Sequence, residues 1–363
     1  MKQSLYSMTE ILGVNRISAA LHRNRPVVLT FHGVTSDNSD TICNDEGLHL
    51  YRPLFERLMQ HVVRYYNPVP LARVVDWLEG KDGPLERAVC VTFDDGFRNV
   101  LTEAGPVLKR LGIPSTLFVT TDFVFKKQML WPDRLVSAIA TTREARLEIE
   151  VRDANHSFDL TTRDAKLRTN TELNALCKSV SQEERLALLG GIIERLHIDE
   201  SQLLSAWEGF RPIDPDEMRL LRNIGMTVGA HTCSHPILAR LTAAEQSREL
   251  TESKSLIEGV TGYACDQFAY PNGSPGDFDE GTRARVIEAG YRCAFTTIKR
   301  RMSRADDRFE IPRCTLTHNR VTAAEFATEL SGLPGALRAW LNRPGARIDA
   351  RSASTPRNAV LPT

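Results

Sequence analysis

No stretch of the chain approaches the ~20 consecutive apolar residues of a membrane-spanning helix. The apolar runs are short, such as Pro26–Phe31 (PVVLTF) and Ala88–Val91 (AVCV), and each soon meets polar residues. The N-terminal segment, residues 1–26, also lacks the uninterrupted apolar core of a secretory signal. A cytoplasmic location is therefore expected, with peripheral membrane association left open. Charge of one sign is missing too: 46 Lys+Arg balance 46 Asp+Glu, for a formal net charge of +0. That balance argues against nucleic acid or an acidic polymer as partner. The seven cysteines are odd in number and show no CxxC spacing, which excludes a paired disulfide framework and a cysteine-rich zinc module. Cys90 and Cys233 lie in or beside strand-like runs, as buried free thiols do. No internal repeat is present.

What is present centres on Ala88–Asn99, AVCVTFDDGFRN. A buried-strand pattern runs directly into Asp94 and Asp95 and then a turn at Gly96. A bland reading makes Asp95-Gly96 a β-turn and Asp94 a helix cap. Far downstream, Met226–His235 (MTVGAHTCSH) repeats the design with different chemistry, a short apolar strand ending in His231 and His235. Two imidazoles four residues apart can reach one metal ion from a strand end and the turn after it. Two His and one carboxylate form the ligand set of a catalytic zinc-type site with a position open for water. The same set also serves non-heme iron oxygenases, against which the Asp pair and the strand–helix alternation weigh.

Three ordered stretches carry a family resemblance. Thr92-Phe93-Asp94-Asp95-Gly96, His231-Thr232-Cys233-Ser234-His235 and Phe268-Ala269-Tyr270-Pro271-Asn272-Gly273 resemble the first three motifs of the polysaccharide deacetylases, the NodB-homology or carbohydrate esterase 4 group, with the third in its FAYPxG form. The likeness covers roughly residues 26–320. It implies a distorted (β/α)7 barrel of α/β class, with the motifs gathered at its C-terminal mouth. It also implies a divalent metal, Zn²⁺ first with Co²⁺ or Ni²⁺ as alternatives, held by Asp95, His231 and His235. Asp94 is then the general base. Tyr270, Pro271 and Asn272 shape the substrate groove, and the Asn272 position supplies a backbone N–H to the oxyanion. The family's usual third-motif arginine is replaced by Ala269, and Arg313 is the candidate to supply its charge. His32, ending the first strand, and His318, in Leu316-Thr317-His318, compete for the role of general acid, with His32 preferred. The implied reaction removes an N-acetyl group from an amino sugar of a glycan or glycolipid. A deformylase or amidase of the same fold and a catalytically silent glycan-binding relative are the alternatives.

Strand–helix alternation frames these motifs. A helix is expected over residues 8–22, in an N-terminal extension of residues 1–25. Strands are expected over residues 26–31, 68–71, 88–93, 115–120, 226–230, 266–270, 292–297 and 309–316. Helices are expected over residues 51–66, 72–78, 99–111, 214–223, 242–259, 278–289 and 322–330. The catalytic domain then spans residues 26–342. Residues 123–212 depart from the alternation and read as a mostly helical insert, with a hairpin near 147–160, lying over the barrel mouth. Trp131 within it is a candidate for stacking on a sugar ring, weighed against an anchor into the core. The Arg-, Pro- and Ser-rich tail, residues 343–363, reads as disordered.

Overall fold

The computed structural model describes residues 14–39, 41–315 and 321–333. Helix α1 (Val14–Leu21) precedes the first parallel strand, β1 (Val27–Phe31). A short parallel pair, β2 (Gly33–Thr35) and β3 (His49–Tyr51), leads into helix α2 (Arg52–Tyr65). The two-residue strand β4 (Asn67–Pro68), helix α3 (Leu71–Leu78) and strand β5 (Ala88–Phe93) follow, then helix α4 (Gly105–Leu111) and strand β6 (Ser115–Val119). Every residue of β1, β5 and β6 is buried. Parallel strands covered on both faces require this, which is why they read as near-continuous apolar runs. The helix expected over residues 99–111 begins instead as a wider turn, in which the Gly105 N–H bonds to the Val100 carbonyl.

Short helix α5 (Thr121–Phe125) leads into the insert. Helix α6 (Trp131–Thr141), the hairpin β7 (Arg146–Val151) and β8 (Ala154–Asp159), and helices α7 (Arg163–Ser179), α8 (Gln182–Arg195) and α9 (Glu200–Leu203) make it up. The hairpin turns on Arg152 and Asp153, whose φ values of 50° and 62° match the twist of the flanking strands. Leu135, Ile139, Leu147, Leu173, Leu189 and Ile192 form a hydrophobic core separate from those of the barrel. Trp131 is 5% exposed within it, and the Arg185 guanidinium lies 5.1 Å from its ring centroid. It therefore anchors the insert, and the expectation that it stacks on a sugar is corrected: such a ring has too little free face.

Alternation resumes with the short helix α10 (Pro215–Met218), strand β9 (Met226–Ala230), helix α11 (Ala243–Thr261), strand β10 (Gln267–Ala269), helix α12 (Glu280–Glu288), strand β11 (Cys293–Phe295), strand β12 (Cys314–Thr315) and helix α13 (Ala323–Ser331). The helix expected over residues 214–223 keeps its capping box at Asp214 but tightens to 3₁₀ geometry over Arg219–Ile224. The strands pair in parallel in the order β11-β10-β9-β6-β5-β1-β12, with β4 beside β5. The two ends of this path meet at Ile311, just ahead of β12. Ile311 donates its N–H to the Ala294 carbonyl at 2.9 Å and accepts from the Thr296 N–H at 2.8 Å. The sheet thus curls into a distorted seven-stranded barrel.

Period-two alternation decides what faces the barrel axis. Val28, Cys90, Phe118, Ala269, Cys293 and Phe295, from five strands, share one apolar cluster, whereas Val27, Leu29, Val89 and Val91 pack in the cluster that includes α2, α4 and α11. Continuing each inner column by two residues reaches His32 through Thr30 and Asp94 through Thr92. Gly229 belongs to the same column as His231. A Cβ at Gly229 would sit 2.6 Å from the Phe118 ring, so only glycine lets this strand approach so closely.

Candidate active site

Asp94 is buried at the end of β5. Arg313, which is 0% exposed, meets it with two bonds: Nη1 donates to Oδ1 and Nη2 to Oδ2, both at 2.7 Å. The guanidinium is itself held, with Nε donating to the Thr296 carbonyl at 3.0 Å and its plane 5.5 Å from the Phe118 ring centroid. Burial works to raise the Asp94 pKa, but Arg313 and then His231 hold it below the ordinary carboxylate value. Asp94 is therefore ionised, with Arg313 as its bonded cation.

Asp95 turns away from Asp94 through a positive φ of 78°. Its Oδ1 lies 3.6 Å from His231 Nε2 and 3.5 Å from His235 Nε2. One donor atom from each of the three residues falls within 4.8 Å of the others. His231 Nδ1 donates to the Ala269 carbonyl at 2.7 Å, which fixes the tautomer and leaves Nε2 as a lone pair facing Asp95. The turn carrying His235 is pinned by Glu249 on α11, which accepts from the Cys233 and Ser234 N–H groups at 2.7 and 3.0 Å. Thr232 and His235 also adopt positive φ, at 67° and 57°, a strain concentrated where side chains must converge. Burial, then the Asp94 charge, pushes Asp95 well above its usual pKa. Burial lowers both histidines, His235 the more strongly. Asp95 Oδ1 is buried with no hydrogen-bond partner. An orphaned carboxylate oxygen between two neutral imidazole nitrogens fits a divalent cation and leaves no other evident reason for their convergence.

These groups open onto a cleft of about 670 Å³. His32 lines it with its Nδ1 buried and unpartnered, and Asn272 lines it with its Nδ2 in the same condition. Burial lowers His32 to about 4, against a rise from Asp94. The other motif-three residues lie deeper. Tyr270 is 1% exposed, donates its hydroxyl to the Phe309 carbonyl at 3.0 Å and stacks on Phe278. Neither Tyr270 nor Pro271 lines the cleft, so their expected contact with substrate is corrected to support of the wall behind Asn272. His318 lies outside the described residues. Two residues escaped sequence reading. Glu249 sits mid-helix, where only its place on a buried face signals a role. Asp133 follows Pro132 in the first turn of α6, where an acid reads as an ordinary helix-start charge. It nevertheless lines the cleft, together with Asn170 and Asn174 of α7, and burial raises it to about 8.

Barrel, strand-end carboxylates and paired imidazoles together define a hydrolase-type site. The polysaccharide deacetylase family model matches residues 81–294, more than half of the 363-residue chain, and the chain belongs to that family. Its class is thus a carbohydrate deacetylase acting on an acetylated glycan. No curated protein sequence matches the chain. Among solved structures, the Streptococcus pyogenes deacetylase PplD in complex with acetate is similar with a TM-score of 0.54 and 15% identity, over 84% of this chain and 98% of that one. IcaB from Ammonifex degensii gives 0.52 and 18%, over 85% and 96%. A polysaccharide deacetylase from Bacillus cereus gives 0.52 and 18%, over 84% and 69%. At these identities the likeness is one of fold. Among the described residues, no helix is long and apolar enough to cross a membrane.

Proposed function

We propose that the protein is a metal-dependent N-deacetylase that removes the acetyl group from an amino sugar of a glycan or glycolipid. The observation that carries this reading is the buried, unpartnered Asp95 Oδ1, 3.5–3.6 Å from two imidazole nitrogens, beside a second carboxylate held ionised by Arg313. Asp95, His231 and His235 would hold the ion, with Zn²⁺ the best match to a two-His, one-carboxylate donor set. When bound, such an ion supplies Lewis acidity, polarising the acetamide carbonyl and lowering the pKa of water.

The chain's own residues do the rest. Asp94 accepts the proton of the attacking water, and Arg313 keeps it ionised and oriented for that task. The ion pair also fixes both Asp94 oxygens, so the base does not swing onto the cation. Asn272 lines the cleft, and its backbone N–H is the candidate donor to the developing oxyanion. His32 protonates the leaving amine. Because burial lowers its pKa to about 4, His32 rests neutral, and the proton it hands to the amine is the one Asp94 took from the water, so one O–H is broken and one N–H is made.

The test is a screen of purified protein, with Zn²⁺, Co²⁺ or Ni²⁺ added, against N-acetylated oligosaccharides, scoring free amine and released acetate. Stoichiometric amine and acetate that vanish with Asp94→Asn support the reading. Absence of both products across the panel with a fully metal-loaded protein contradicts it. His32→Ala is expected to lower turnover steeply while metal content stays intact; an equal loss of metal makes His32 a ligand.

A further inference from the structure

Asp133 is a buried acid with no ion-pair partner: the exposed Lys178 lines the same cleft, and the charge of Asp133 is felt at Asp95. It is 5% exposed, and its Oδ2 has no hydrogen-bond partner. The other acids of the cleft are placed differently. Asp94 is paired with Arg313, Asp45 with Arg163 at 2.8 Å, Asp95 belongs to the ligating trio, which does not include Asp133, and Glu46 is exposed. Burying a carboxylate without a partner is strongly unfavourable, so in the open cleft the acid holds its proton, its pKa pushed up to about 8, and only hydrogen-bond donors brought by a ligand restore the carboxylate form. A group retained at such a cost, in the wall of a catalytic cleft, is waiting for a ligand.

The surroundings state what kind. Asn44, Asn170, Asn174, Asn272 and Thr171 line the same cleft, and no Phe, Tyr or Trp does so among the described residues. Leu130, Pro132 and Val136 give the wall its apolar part and Lys178 a cation, so recognition there combines hydrogen bonds to polar groups with aliphatic contact and does not use stacking against a ring face. The candidate donors are sugar hydroxyls and amide N–H groups, for which a carboxylate is a two-oxygen acceptor.

Resting on the deacetylase reading, we propose that Asp133 is the specificity-determining residue of a sugar subsite built by the insert: its carboxyl group binds hydroxyls of a neutral N-acetylated glycan and disfavours glycans that bring a carboxylate, phosphate or sulfate to that position. The barrel then cleaves, and α6 and α7 choose what is presented for cleavage.

The test compares wild type, Asp133→Asn and Asp133→Ala, each loaded with Zn²⁺, on neutral N-acetylated oligosaccharides and on matched oligosaccharides carrying a uronate. Metal stoichiometry and melting temperature are measured on the same samples. Loss of a charged acceptor is expected to lower kcat/KM on neutral glycans by roughly tenfold or more in Asp133→Ala, mostly through KM. Asp133→Asn is expected to narrow the preference for neutral over uronate-bearing glycans. Both variants keep one ion per chain and melt at or above the wild-type temperature, since a buried acid with an unpartnered oxygen has been removed. Unchanged kcat/KM and unchanged preference overturn the proposal. So does loss of the ion, which makes Asp133 a ligand, or a melting temperature lowered by several degrees, which makes it structural. If the wild type cleaves no acetylated glycan, the deacetylase reading itself falls; if it cleaves and the variants behave alike, only the Asp133 proposal does.

Discussion

Asp94 and Asp133 are both buried carboxylates in the wall of one cleft, and the barrel and the insert treat them in opposite ways. In the barrel, Asp94 is gripped by Arg313 through two 2.7 Å bonds, His231 is braced by the Ala269 carbonyl, and the turn before His235 is pinned by Glu249. In the insert, Asp133 has a buried oxygen left without a partner. The two regions also keep separate apolar cores. The contrast assigns a division of labour: the base, which must be held in one orientation, ends a rigid parallel strand with both oxygens bonded, whereas a group that must meet a variable ligand is left unsatisfied on an added element.

The contrast can be broken or sharpened by substitution. The largest effect belongs to the barrel: Asp94→Asn is expected to reduce kcat by 10²- to 10⁴-fold with metal content retained, read by acetate release and metal analysis. Arg313→Met comes next. It strands Asp94 as an unpaired buried charge, and denaturant unfolding is expected to show a loss of about 3–5 kcal/mol together with a fall in activity. Leu173→Ala, in the insert core, is expected to cost about 2–5 kcal/mol in that region. Proteolysis is then expected to speed up within the insert and KM to rise, while cation binding by the barrel persists; loss of cation binding would show that the two regions are not separable. The smallest effect concerns caps. Thr242 on α11 and Ser181 on α8 each close a capping box, and changing either to Ala is expected to cost about 1 kcal/mol. Equal costs in calorimetric melts locate the regional difference in the clefts' polar groups instead of in helix stability.

The barrel was legible from sequence because local pattern and global role coincide there. A parallel strand shows itself as an apolar run, and the polar residues that break the run, Asp94-Asp95 and His231, fall at its carboxyl end, where period two aims Asp94 and His231 at the axis and the positive φ at Asp95 turns the second carboxylate toward the imidazoles. Arg313 was a candidate by charge alone; only the closure of the sheet at Ile311 brings it to Asp94. The rest was hidden because depth is not a local property. Tyr270 read as part of the groove wall and Trp131 as either a sugar-stacking ring or a core anchor, and it is neighbours remote in sequence, Phe309 and Arg185, that enclose them. The short β2–β3 pair joins segments whose sequences are mostly turn-like. Asp133 and Glu249 occupy positions where an acid on a helix is unremarkable until the opposing surface is known.

Cation binding to chelator-stripped protein, followed by calorimetry with Zn²⁺, tests the convergence of Asp95, His231 and His235 most directly. One ion per chain is predicted for the wild type, lost in Asp95→Asn and in His235→Gln but kept in Asp94→Asn and Asp133→Asn. A wild-type protein that takes up no ion, or an Asp95→Asn variant that binds it as tightly as the wild type, would contradict the proposed centre.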